Sequence, residues 1–400
     1  ILVDPRSGHV ERHWPEPASG PLSPAVWTAN GELIFARAGS LLGDQGDSLS
    51  RVVRYDLETG DDTTLFWAQY LFPSVGFGEN FTRIDVVRSE TLVFHQTAFR
   101  QTLREAAVRT GALPSSGEVL TRGHGLDRQP VYSPNGKKIL FTSNRSGNLD
   151  LWMLDVETGT LRQLTDDAAQ DWDPGFTPDG RQIVWSSDRT GHLEIWISDG
   201  DGSGARQLTR DGVDAENPTV TADGEWIVYA SGNPDKLGVW KIRPDGSDAT
   251  HVVEGPYSVP DTSPDGRYAA YLSREPDNLR NRINVVDLQE GEVVPFLIEV
   301  PYTFRAGGVI LGRMRWLPDG SGIAYVGVNE QNLSGIYAQD FVPGEDTAHT
   351  RRPLAGFSPD FVTESFGISP DGSRIILSGL EESYRLMLAE GVKGVEPPRR

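Results

Sequence analysis

The sequence predicts an all-β fold, a closed β-propeller of four-stranded antiparallel blades, with eight blades and seven as the alternative count. Three observations predict it. A turn tetrapeptide recurs at blade-length intervals, the strand after each turn is apolar on consecutive residues, and helical periodicity is nearly absent. Only Thr102 to Val108 leaves room for a turn or two of helix.

The tetrapeptides are Ser133-Pro134-Asn135-Gly136, Thr177-Pro178-Asp179-Gly180, Thr221-Ala222-Asp223-Gly224, Ser263-Pro264-Asp265-Gly266, Leu317-Pro318-Asp319-Gly320 and Ser369-Pro370-Asp371-Gly372. Their second positions are separated by 44, 44, 42, 54 and 52 residues. Proline fixes φ near −65°, which suits the second position of a type I turn, and the closing glycine can take the positive φ of a bulge. Each unit is therefore a β-hairpin.

The strand after each turn reads Ile139-Leu140-Phe141, Ile183-Val184-Trp185, Trp226-Ile227-Val228-Tyr229, Ile323-Ala324-Tyr325-Val326 or Ile375-Ile376-Leu377. An antiparallel strand with one wet face would alternate. Consecutive apolar residues instead predict burial on both faces, as in a blade stacked between two others. The following strand does alternate, as in Leu149 to Leu154 and Leu193 to Ile197. A polar turn and a short edge strand, Leu161 to Thr165 or Ala205 to Thr209, close each unit.

This pattern maps the whole chain, 1–400, as one propeller with blades at 22–68, 78–123, 126–167, 170–211, 214–255, 257–303, 308–356 and 361–392. The ends of such a ring must join or expose sheet edges. Segment 1–17 is expected to supply the outermost strand of the last blade, with Arg385-Leu386-Met387-Leu388 as that blade's own third strand.

The run Asp173 to Gly180, then Ser187-Asp188-Arg189-Thr190-Gly191-His192-Leu193-Glu194-Ile195-Trp196, then Arg206-Gln207-Leu208-Thr209, resembles the TolB-like propeller repeat. Ser143 to Trp152 repeats the middle element in register. The resemblance is strong over residues 126–254, recognisable to 392 and poor before 120. Such repeats also resemble the propellers of prolyl-oligopeptidase-like enzymes and the extracytoplasmic parts of bacterial membrane-anchored serine/threonine kinases, the latter most of all from Gly312 onward. The resemblance implies a periplasmic or extracytoplasmic sensor or protein-interaction module, with a kinase domain upstream on the same polypeptide as one context.

Composition sets bounds on partners. The 400 residues carry a formal charge of −20 and 37% apolar side chains, enough for a core. Such acidity opposes nucleic acid, which needs clustered Lys and Arg, and opposes an anionic membrane surface. No apolar run approaches the roughly 18 residues that cross a bilayer. The chain begins at Ile1 without a Met, and is read as part of a longer or processed protein. Cysteine is absent, which excludes disulfides and thiolate metal sites.

The resemblance places the start of each innermost strand at one mouth of a central channel, where Arg128, Asp171-Trp172-Asp173, Asp214, Glu216-Asn217, Ser258, Arg305 and Glu364-Ser365 would gather. A concave ring of mixed charge suits a protein, peptide or small ligand. The pairs Arg83/Asp85 and Arg313/Arg315 sit at spacing i, i+2, which puts both side chains on one face of a strand. Arg313 and Arg315 would then grip a carboxylate or phosphate; pairing with acidic loops of adjacent blades is the structural alternative. Asp188-Arg189 and Asn144-Arg145 recur with the repeat and read as structural, and Asp199 to Ser203 reads as a turn rather than a calcium loop.

No Gly-x-Ser-x-Gly elbow and no histidine constellation occurs. No catalytic residue, cofactor or metal is therefore assigned, and the reading is a non-catalytic binding module. The alternative is a metal-dependent carbohydrate-active enzyme, lyase or hydrolase, with its site in the channel. It requires an ion held by two or more of His95, His124, His192 and His251.

Overall fold

The structure is a computed structural model that describes residues 2–3, 10–12, 25–38, 49–57, 59–69, 84–108, 116–123, 125–274, 281–300 and 313–397. Among them the strands form seven antiparallel sheets of four or five strands and one two-stranded pair. Among the described residues a single 3-10 turn, Ala348–Thr350, is the helical content. The chain separates into two compact units, where the sequence reading expects one. Unit 1 holds residues 1–98, 305–308 and 382–400, and unit 2 holds 99–304 and 309–381.

Unit 2 contains the repeat. Sheet A is Asp127–Tyr132, Lys138–Ser143, Asp150–Asp155 and Leu161–Gln163. Sheet B is Asp171–Phe176, Gln182–Ser187, Glu194–Asp199 and Arg206–Gln207. Sheet C is Ala215–Val220, Ile227–Ser231, Gly238–Ile242 and Thr250–Glu254. Sheet D is Tyr257–Thr262, Tyr268–Arg274, Asn281–Asp287 and Val293–Val300. Sheet E is Met314–Trp316, Gly322–Val328, Ser334–Asp340 and Arg352–Gly356. In each the strands pair in chain order, so every repeat is a meander of three hairpins.

Sheet F is assembled differently. Val362–Ile368 and the strand Arg374–Glu390 come from the end of the chain, the strand Thr91–Ala107 follows in the order, and both Ile84–Arg88 and Glu118–Val119 pair with it. Three expectations are thereby corrected. The described strands of segment 1–17, Leu2–Val3 and Val10–Arg12, pair with each other and not with the last sheet. The described strands of 78–123 join the chain-end strands in one sheet instead of forming a blade of their own. Arg385 to Leu388 continue the second strand instead of turning back as a third, since no turn residue interrupts Arg374–Glu390. The stretch Thr102 to Ala107 is strand, not helix, and Leu103 and Ala106 are buried.

The consecutive burial expected of each second strand is present. Ile139, Leu140, Phe141, Ile183, Val184, Trp185, Ile227 and Val228 are all fully buried. Alternating members belong to different cores: Leu140 joins Ile183 and Trp185, whereas Ile139 and Phe141 join Leu103 and Ile376. Each sheet is thus packed on both faces, and each buried Leu, Ile or Val contributes about 1.5–3 kcal/mol. For the same reason the third strands do not alternate as expected. Asp150 and Glu194 are as buried as their apolar neighbours and are satisfied internally: Gln163 Nε2 donates to Asp150 at 3.0 Å, and the Asp211 amide donates to Glu194 at 2.8 Å.

The turns follow from their chemistry. In sheet B the Thr177 hydroxyl donates to Asp179 at 2.7 Å and accepts the Gln182 amide at 3.0 Å. Asp179 also takes the Arg181 amide at 3.0 Å, while Gly180 sits at φ 68°. A Cβ there would be strained by the left-handed conformation.

Unit 1 holds the sheet Val26–Trp27, Leu33–Ala38, Leu49–Tyr55 and Asp62–Gln69. Ile84–Arg88 pairs with the beginning of Thr91–Ala107. Its core joins Ile34, Val52, Ile84, Leu92 and Val395.

Candidate functional site

Every innermost strand of sheets A to D shifts register at the same place, between Arg128 and Val131, Trp172 and Gly175, Glu216 and Thr219, and Ser258 and Asp261. At each bulge one residue has positive φ: Gln129 (55°), Asp173 (51°), Asn217 (56°) and Val259 (53°). Non-glycine residues rarely accept this conformation, and a β-branched Val least of all. Something around them must impose it.

The imposing element is a relay of hydrogen bonds from sheet to sheet. Ser365 Oγ accepts the Gln129 amide at 2.9 Å, and Gln129 Oε1 accepts the Asp173 amide at 3.0 Å. Asn217 Nδ2 donates to Asp173 Oδ2 at 2.5 Å, and Asn217 Oδ1 accepts the Val259 amide at 3.2 Å. Valine cannot pass the relay on, and Asp261 replaces it by accepting the Trp316 amide at 2.7 Å. Ser334 Oγ then accepts the Thr363 amide at 2.7 Å, which links sheet E to sheet F. The innermost strands of sheets F and A also lie against each other. Turning the backbone at each bulge frees an amide, and the neighbouring sheet supplies its acceptor.

The residue five places before each turn's second position is thus Gln129, Asp173, Asn217, Val259, Arg313 or Ser365. Five of these six act between neighbouring sheets. Arg313 does not: its guanidinium pairs with Asp173, on sheet B. Along the chain, sheets C and D stand between sheets B and E.

The residues just before the relay are Arg128, Trp172, Glu216, Ser258 and Glu364. Arg128 reaches Glu364 at 2.8 Å and lies 5.3 Å from the Trp172 ring centroid. Glu364 also takes hydrogen bonds from Ser365 Oγ at 2.6 Å and Gln101 Nε2 at 3.2 Å. Burial opposes its charge, but Arg128, Arg313 and the Ser365 hydroxyl outweigh burial and hold the carboxyl below its ordinary value. Burial likewise opposes the Arg128 guanidinium, yet Glu364, with help from Asp173, keeps its pKa above normal.

Glu216 is the exception. Burial first, then the like charges of Asp173 and Asp214, push its carboxyl up to about 7, against the pull of Arg313. An acid titrating near neutrality in a cleft is a feature of binding and catalytic sites.

The structure therefore gathers Arg128, Trp172, Asp173, Glu216, Asn217, Arg313 and Glu364 into one constellation, positioned within or beside the bulged strands rather than on loops before them. Three expectations change. Asp171 is fully buried and structural: Arg189 contacts its two oxygens at 3.1 and 3.2 Å, and Trp185 Nε1 donates to it at 3.0 Å. Arg313 and Arg315 do not form a free cationic patch, because Arg313 pairs with Asp173 and Arg315 with Asp261 at 3.4 Å. They meet acids on different sheets, since Arg313 precedes the strand that carries Arg315. Asp85 belongs to unit 1, is exposed, and accepts the Val86 amide at 2.8 Å. Arg83 and Arg305 lie outside the described residues.

Gln129, Asp261 and Gln101 were missed. The first could have been found by aligning the repeats at the relay position. Gln101 reaches the site only through the displaced strand of sheet F, for which the sequence carries no signal.

Asp199 to Ser203 is a turn closed by the Asp199 amide to the Ser203 carbonyl at 2.9 Å. Among the described residues no group of three His, Cys, Asp or Glu is placed to hold a metal ion. His192 is exposed and His251 stacks on Trp240 at 4.7 Å; the side chain of His95 and all of His124 lie outside the described residues. Among the described residues no helix is long and apolar enough to cross a membrane.

Residues 98–295 match a family model described as the TolB beta propeller domain. An uncharacterized protein of Agrobacterium fabrum is 40% identical over 53 residues, a match covering 13% of this chain and 18% of that protein. Among solved structures, TolB from Acinetobacter baumannii is 17% identical with a TM-score of 0.49, covering 86% of this chain and 80% of its own. An oligogalacturonate lyase from Vibrio parahaemolyticus is 14% identical with a TM-score of 0.43, covering 88% of each chain. The repeat in residues 98–295 is thus of the TolB-like propeller type, as its motifs suggest. At these identities neither structure transfers an activity to this chain.

Proposed function

We propose that unit 2 is a ring of six blades, sheets A to F, that binds a protein or peptide at the constellation around Trp172, and that it does so outside the cytoplasm. For this unit the inferred count is six, in place of the eight or seven expected for the whole chain. The relay and the contact between sheets F and A support the ring. Arg128, Trp172, Glu216, Ser258 and Glu364 then share one level at one mouth, because each immediately precedes its relay residue.

The single observation that carries the binding reading is the Arg128–Trp172 stack beside Glu216. A half-buried indole with an arginine on its face is the residue pairing that anchors protein interfaces. On the next sheet, burial and the charges of Asp173 and Asp214 push the Glu216 carboxyl up to about 7 against the pull of Arg313. The similarity to TolB propellers supports an envelope interaction role and an extracytoplasmic location. The resemblance to kinase-linked propellers adds a signalling domain on the same polypeptide as a context in which such binding would be read out.

A photo-crosslinking amino acid tests this directly. Placed at position 172 in cells expressing the protein, it should give a discrete adduct with a second protein. The same residue at Ser247, in an exposed turn of sheet C, should not. No adduct at 172, or equal adducts at both positions, would remove the reading.

A further inference from the structure

Arg313 stands at a relay position, yet it is the one relay residue that leaves its neighbours unserved. Ser334 performs its seam function instead, by taking the Thr363 amide. The Arg313 side chain, 13% exposed, runs to Asp173, 8% exposed, three sheets away. In a six-sheet ring the residue three steps away lies on the opposite side. The pair therefore crosses the opening and does not brace a seam.

The acids around this guanidinium come from three sheets. Asp173 on sheet B is bonded to it, and Glu216 on sheet C and Glu364 on sheet F both feel its charge. Glu364 has its own cation in Arg128, and Asp261 has Arg315. Removing Arg313 would leave Asp173 and Glu216 facing each other with Asp214 near, three acids from two sheets, of which Asp173 alone still feels a cation, Arg128 and Arg315.

We propose that Arg313 is an internal plug: its guanidinium occupies the place between Asp173 and Glu216 that a cationic side chain of a binding partner takes when the site is engaged. This rests on the binding reading above and adds the chemistry of the ligand, an arginine or lysine side chain. A partner's guanidinium would exchange with Arg313 at equal charge, so neither acid is ever buried without a cation. The planar fork favours arginine over lysine at a carboxylate.

The test uses N-acetyl-arginine methylamide as probe, titrated calorimetrically into the whole chain at pH 8. Arg313→Ala should bind it at least tenfold more tightly than the unaltered protein. Asp173→Asn in the same background should abolish the gain, and N-acetyl-leucine methylamide should not bind. The Glu216 carboxyl feels Asp173 and Asp214, which raise it to about 7, and Arg313, which pulls it down; without Arg313 it lies higher, so affinity in Arg313→Ala should drop as the pH is lowered, with a midpoint above about 7. Equal affinity in Arg313→Ala and the unaltered protein, with an unchanged circular dichroism spectrum, overturns the plug.

Should the alanine variant fail to fold, Arg313→Lys keeps the charge but loses the fork. It should still bind the probe more tightly than the unaltered protein does, and no gain there overturns the proposal equally. The crosslink at 172 does not depend on Arg313. A retained probe gain without that crosslink sinks the partner reading alone, and the reverse sinks the plug alone.

Discussion

Sheets B and C are adjacent copies of one repeat, and they treat charge in opposite ways. In sheet B, Asp171 meets Arg189 eighteen residues later, and Arg189 stacks 4.5 Å from the Trp196 ring. Sheet A does the same with Asp127 and Arg145, at 2.7 Å to each oxygen, and with Trp152 at 5.1 Å. Sheet C has Ala215 and Asn233 at these places, and its acid stands one residue later, at Glu216, with no cation eighteen residues on. A charge that keeps the period is paired inside its own blade and holds it together. A charge that breaks the period has to find its partner elsewhere, and for Glu216 and Arg313 that place is the constellation.

The largest effect should come from breaking the periodic pair. Arg189→Ala leaves Asp171 fully buried without its cation, which costs about 3–5 kcal/mol. Urea denaturation at pH 7 should show the midpoint fall sharply. A loss under about 1 kcal/mol would place this pair with ordinary surface ion pairs and erase the contrast.

The aperiodic acid should behave in the opposite sense. Glu216 holds its proton more tightly folded, at about 7, than its ordinary 4.5. The folded state therefore binds more protons than the unfolded one between those values, and stability falls as pH rises through that window. Glu216→Gln removes the slope. At pH 8 it should be more stable than the unaltered protein by about 1–3 kcal/mol, and at pH 4 the two should coincide. Denaturation curves at the two pH values read this out; a Gln variant less stable at pH 8 would show that Glu216 is held by a partner.

The same contrast explains what was legible. The hairpins, the doubly buried second strands and the structural role of Arg145 and Arg189 recur, so one copy teaches the next. Sheet F could not be read, because its third strand comes from Thr91–Ala107, on the far side of five repeats, and no local pattern records a pairing across that distance. The site was half legible. Arg128, Trp172, Asp173 and Glu216 were found as polar residues opening the innermost strands. The burial of Asp171 was not, because Asp171 and Asp173 look alike in sequence and differ by which face of the bulged strand they occupy. Arg313 on sheet E reaches Asp173 on sheet B, two sheets that are not neighbours in the chain, and periodicity carries no trace of it.

The smallest effect concerns the one turn that departs from its siblings. Asn135 stands where sheets B, C, D, E and F have Asp. Its Oδ1 already accepts the Ser133 hydroxyl at 2.8 Å and the Lys137 amide at 3.1 Å. The same bonds in sheet F hold the Asp371 carboxyl down at about 2, because hydroxyl and amide donors favour the charged form. Asn135→Asp should therefore keep the geometry and strengthen both bonds, since an ionised acceptor binds a donor more strongly than a neutral one. With a depressed folded pKa, the gain is present above the ordinary carboxyl value and is lost as pH falls through the folded one. A small rise in the urea midpoint at pH 7 that vanishes toward pH 2 is the expected result. A drop at pH 7 would show that this turn needs the side-chain amide, and that its departure from the repeat, like that of Glu216, answers to something outside its own blade.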